Sequence, residues 1–108
     1  MQFDKDMNSI HKNLFLETQS FLLSIDKIEE IKKERITTYS SDGVGLCHMR
    51  TMDYGIDLGF LKCAKMKDEH GLLKGKGKVM RVLSLASFDR EIFEYYISEA
   101  IDVNRQKK

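Results

Sequence analysis

The stretch Gly71 to Leu85, GLLKGKGKVMRVLSL, sets three glycines and four basic residues directly against an alternating apolar run. Glycine is costly inside a helix, so Gly71, Gly75 and Gly77 mark a turn-rich connection. Beyond them Val79, Arg81, Leu83 and Leu85 fall on one face of a strand. The segment therefore has to feed a sheet, and the rest of the chain must supply the neighbouring strands.

Those neighbours are readable upstream. Tyr54, Ile56, Leu58 and Phe60 alternate with Gly55, Asp57 and Gly59, the pattern of a strand with one buried face. Arg35 to Ser40 is rich in β-branched and aromatic residues. A Ser-Asp-Gly turn at Ser41 to Gly43 and the run Val44 to Thr51 follow, which predicts a hairpin. Lys62 to Lys78 is expected to be a loop, giving four strands in all.

Helical spacing appears at both ends. Phe3, Met7, Ile10, Leu14, Phe21 and Ile25 recur at steps of three, four or seven, predicting a first helix of about five to six turns with its end, or a short second turn, near Ile28 to Glu34. Phe15 and Leu22 flank that stripe, so the apolar surface is broad enough to pack on a sheet. From Asp89 to about Asn104, Ile92, Tyr95 or Tyr96, Ala100 and Val103 predict a closing helix, with Ser87 or Asp89 as its N-cap. The order predicts an α+β layer in which the terminal helices cover one face of an antiparallel sheet.

Size and charge narrow the function classes. The 108 residues suit one domain spanning 1–108. A formal net charge of +1 gives no bulk attraction to nucleic acid or to anionic membrane. The polar start MQFDKDMN and the lack of any apolar run of about 18 residues predict a cytoplasmic protein without a membrane anchor. Cys47 and Cys63 are too few for a disulfide scaffold and read as reduced. Cys47 beside His48 would point to the opposite sheet face, and nothing is positioned to orient His70 toward Cys63, so no catalytic residue is assigned and the chain is expected not to be an enzyme. Tyr39, Tyr54, Tyr95 and Tyr96 read as amphipathic residues at the edge of the core.

Two recognition surfaces remain. Between Lys62 and Arg81 seven basic residues face two acids, a local excess of five positive charges. Gly75 and Gly77 can turn backbone N–H groups toward an anion, with Lys76, Lys78 and Arg81 adding charge. This is not a phosphate-binding P-loop, because Lys76 stands where its second glycine belongs and no Ser or Thr follows Lys78. The sheet face carrying Gly55, Asp57 and Gly59 is the second surface, able to take a small ligand or a second copy of the chain as a homodimer.

The central residues resemble the YdhG-like domains of unknown function, small bacterial proteins of α+β fold related in shape to frataxin. Leu58-Gly59-Phe60, then Ala64, then Gly71, Leu72, Leu73, Gly75, Gly77, Lys78, Met80 and Arg81 match that family's pattern in order and spacing, over roughly Ile31 to Ala100. Cys63, Lys74, Lys76 and Val82 depart from its usual residues. The resemblance implies a frataxin-like layer and, for some members, an intracellular iron chaperone that uses acidic surface residues. On this chain it points to iron as the candidate cofactor and to Asp4, Asp6 and Glu17 as candidate metal ligands, carboxylates being suited to hard cations. Over Met1 to Glu34, however, seven acids are interleaved with five lysines, which also fits a solvated mixed-charge helix face.

Overall fold

The computed structural model describes residues 1–62, 65–75 and 80–105. Helices α1 (Gln2–Met7) and α2 (Lys12–Leu23) precede strands β1 (Ile28–Lys32), β2 (Thr37–Ser41), β3 (Val44–Met52) and β4 (Gly55–Phe60); β5 (Leu73–Lys74), β6 (Arg81–Leu85) and helix α3 (Arg90–Arg105) complete the chain. The strands form one antiparallel sheet in the order β1-β2-β3-β4-β6-β5. The helices pack on one of its faces, as an α+β layer of this kind requires.

The predicted hairpin is β2–β3. Asp42 and Gly43, both at positive φ (52° and 79°), make the two-residue turn whose twist matches that of the strands. In β4, Ile56, Leu58 and Phe60 are fully buried against the helices together with Cys47 and Met49 of β3 and Leu83 of β6. From the other side Phe15 and Leu22 of α2 and Phe93, Tyr96 and Ile97 of α3 close the core. Each such side chain contributes roughly 1.5–3 kcal/mol on leaving water. The Asp89 carboxylate accepts from the Ile92 N–H at 3.2 Å and caps α3 as expected.

Three expectations are corrected. The first helix breaks at residues 8–11, where the Ser9 hydroxyl accepts from the His11 N–H and so competes with helical bonding. The break rotates α2, so its deepest residues are Phe15, Thr18 and Leu22, while Ile10, assigned to the buried stripe, is 91% exposed. Residues 28–32 are an edge strand and not a helix end: Ile28 to Lys32 pair with Ser41 to Thr37. The long connection also contributes the short strand β5, which pairs with β6, so the strands number six among the described residues.

The tyrosines divide. Tyr39 and Tyr96 belong to the core, both at 0% exposure, and each hydroxyl donates to a carboxylate, Tyr39 to Glu30 at 2.7 Å and Tyr96 to Asp68. Burial first, then those carboxylates, push both phenols well above their ordinary range.

Candidate functional site

Strand alternation builds the uncovered face. Because Cys47 and Met49 face the helices, His48 and Arg50 face away, and the register places His48 opposite Gly59 and Arg50 opposite Asp57. On the next strand Val82 pairs with Gly59 and Ser84 with Asp57. The result is a cleft of about 260 Å³ on the open sheet face. Its floor and walls are Gly59, Val82, Ile36 and Met80; its polar rim is Arg35, Arg50, His48 and Asp57. Gly59 lets the Met80 thioether lie close, since a Cβ there would stand 3.3 Å from its sulfur.

The polar groups differ in how they are satisfied. Asp57 is held: the Tyr54 hydroxyl donates to its Oδ1, and the Ser84 hydroxyl donates to the same oxygen at 2.7 Å. The Asp57 hydrogen bond raises the Tyr54 phenol above its usual value. Arg35 and Arg50 make no ion pair or side-chain hydrogen bond among the described residues, although arginine presents five donors. His48 carries a buried Nδ1 without a partner among the described residues, an unusual condition for a polar atom in a folded chain.

Burial first, and the Lys33 ammonium second, hold the His48 imidazole below its ordinary value of 6.5. The unfolded chain therefore binds more protons than the folded one between the two values. The stability associated with neutral His48 is complete above the unfolded value and is lost as pH falls through the folded one. Urea unfolding of the wild type and of His48→Gln from about pH 7.5 to 5 is expected to give the shallower pH slope in the variant. Equal slopes would contradict this environment for the ring.

Elsewhere several carboxylates and N–H groups are occupied structurally. The Asp68 carboxylate accepts from the Leu72 N–H at 2.9 Å and from Tyr96, the Glu99 carboxylate accepts from the Lys67 N–H at 2.9 Å, and the Tyr95 hydroxyl accepts from the Glu69 N–H at 3.0 Å. These bonds fasten the start of the glycine-rich connection to α3. The His70 ring rests edge-on against Tyr95 with centroids 4.9 Å apart.

Of the residues singled out in the sequence, Asp57 lines the cleft. Gly75 has φ +109° and nothing among the described residues within 4 Å of where a Cβ would stand, and Arg81 begins β6 opposite Phe60. Lys76, Gly77 and Lys78 lie outside the described residues, as does Cys63. Cys47 is fully buried, its thiol pushed up to about 12 by burial. Asp4 and Glu17 are exposed, whereas Asp6 is fully buried, its Oδ1 accepting from Gln2 Nε2 and from the Thr51 N–H and hydroxyl at 2.8–3.0 Å. Among the described residues no group of three or more His, Cys, Asp or Glu side chains is placed to hold a metal ion.

Arg35, His48, Arg50 and Met80 went unassigned from the sequence. His48 and Arg50 carried a signal, since period-two alternation with Cys47 and Met49 already places them on the polar face beside Asp57. Arg35 and Met80 reach the cleft from connections, where no periodicity speaks. No helix among the described residues is long and apolar enough to cross a membrane. Compared with protein-family models, curated proteins and solved structures, the chain matches none.

Proposed function

We propose that the protein is a non-enzymatic binding domain that takes a small anionic ligand on its uncovered sheet face. The observation that carries this reading is a pair of arginines without carboxylate partners among the described residues, Arg35 and Arg50, on the rim of one apolar-floored cleft. A guanidinium is well suited to a planar anion, and a low-dielectric floor strengthens the pairing. Of the two surfaces read from the sequence, this reading takes the sheet face that carries Asp57. The iron reading rests on the YdhG-like resemblance alone.

An amide-resolved NMR titration with acetate and with inorganic phosphate at low salt tests the proposal. Shifts are expected around His48, Asp57, Gly59 and Val82, and Arg35→Gln or Arg50→Gln should each weaken binding by about five- to tenfold. Shifts confined to the glycine-rich loop or to the first helices, or arginine variants with wild-type affinity, would overturn it.

A further inference from the structure

We infer that the occupant of this cleft is a small monocarboxylate with an apolar arm and a hydroxyl donor beside the carboxylate, the chemistry of an α-hydroxy acid with a non-polar side chain. The inference rests on the anion reading above and refines it.

Charge sets the first limit. Two guanidiniums and one carboxylate line the cleft, so its fixed charge with neutral His48 matches a single negative charge. A phosphate dianion would bring its second charge against Asp57, where like charges repel. The floor sets the second: Ile36, Gly59, Met80 and Val82 present apolar surface that an inorganic anion leaves unused. Ligand clefts run to about 300–1,000 Å³, so one of this size accepts a ring or a branched aliphatic arm and little more.

Asp57 sets the third limit. The Tyr54 and Ser84 hydroxyls both converge on Oδ1, which fixes the carboxylate and leaves Oδ2 without a hydrogen bond among the described residues. Asp57 stands directly across from Arg50 in the β3–β4 register. A donor on the carbon next to a carboxylate held by Arg50 would meet that acceptor. The same molecule would lay its arm against the Met80 thioether, which Gly59 lets settle close to the sheet.

The test is a titration of the full chain, by the same amide shifts, with acetate, phenylacetate, 3-phenyllactate and inorganic phosphate. Phenylacetate is expected to bind about tenfold more tightly than acetate, reflecting the buried ring. The hydroxyl of phenyllactate should add about a further fivefold. Asp57→Ala should abolish the hydroxyl increment and keep the phenyl increment, and Gly59→Ala should reduce the phenyl increment by displacing Met80. Equal affinities for acetate and phenylacetate would overturn the inference and leave the anion reading standing. Phosphate binding more tightly than phenyllactate would overturn the ligand class. Silence from all four probes would overturn both readings together.

Discussion

Replacing Gly55 by alanine is expected to lower folding stability by more than about 4 kcal/mol, a loss large enough to unfold many small domains. The residue has φ +155°, a region that side chains rarely adopt, at a cost of about 1–3 kcal/mol. Its larger cost is steric. A Cβ at this position would lie 2.1 Å from the Leu85 carbonyl oxygen and 2.7 Å from the Ala86 Cα, and both are backbone atoms that cannot rotate away. Relief requires parting β4 from β6 where Ile56 pairs with Leu85, next to the fully buried Ile56 side chain. Gly43 provides the comparison: it also has positive φ, at 79°, but nothing among the described residues lies within 4 Å of its Cβ position. Gly43→Ala should therefore show backbone strain alone, about 1–2 kcal/mol. Urea unfolding of the two variants separates these contributions, and a Gly55→Ala midpoint close to that of Gly43→Ala would refute the steric account.

The same position shows what the sequence could and could not reveal. Gly55 was readable as a member of an alternating strand, and Ile56, Leu58 and Phe60 are buried as that alternation required. The Asp42-Gly43 turn was readable because its chemistry is local. Strand β1 was not, since Ile-Glu-Glu-Ile-Lys has no strong strand propensity of its own. Its extended form follows from pairing with β2, and Glu30, drawn inward, accepts hydrogen bonds from Tyr39 and from Gln19 at 2.7 Å. The break after α1 was hidden for the opposite reason. Helical spacing continues through Ile10, yet side-chain bonding at Ser9 and the pull of β3 on Asp6 outweigh it.

At the candidate site, faces were readable and convergence was not. Period-two alternation assigns His48, Arg50 and Asp57 to one side of the sheet, but only the strand order β3-β4-β6 brings them to a common cleft. Nothing in local pattern announces that Arg35, fifteen residues before Arg50 in the chain, shares its rim. Nor does it announce that both arginines lack an acidic partner among the described residues, which is the property the functional reading uses. That property is a fact of long-range geometry.

Asp6→Ala is expected to cost about 3 kcal/mol, although the residue looks from the sequence like one of several surface acids. Its side chain is fully buried, and one oxygen receives three hydrogen bonds: from Gln2 Nε2 at 2.9 Å, the Thr51 N–H at 3.0 Å and the Thr51 hydroxyl at 2.8 Å. Truncation leaves the Thr51 donors facing a void and releases α1 from β3, where Phe3 also packs edge-on against Phe15 with centroids 5.8 Å apart. Asp4→Ala, at 74% side-chain exposure and paired only with the N-terminal ammonium among the described residues, should change stability by less than about 0.5 kcal/mol. Thr51→Val removes one of the three bonds while keeping the backbone donor, so the double variant with Asp6→Ala should lose less than the sum of the single losses. Denaturant midpoints for the wild type and the four variants check each step, and an Asp6→Ala cost equal to that of Asp4→Ala would contradict the buried anchor. The distinction governs any test of metal binding by Asp4, Asp6 and Glu17. A loss of metal affinity in an Asp6 variant would report the loosened junction between α1 and β3, whereas the exposed Asp4 and Glu17 can be replaced without disturbing the fold and give the interpretable result.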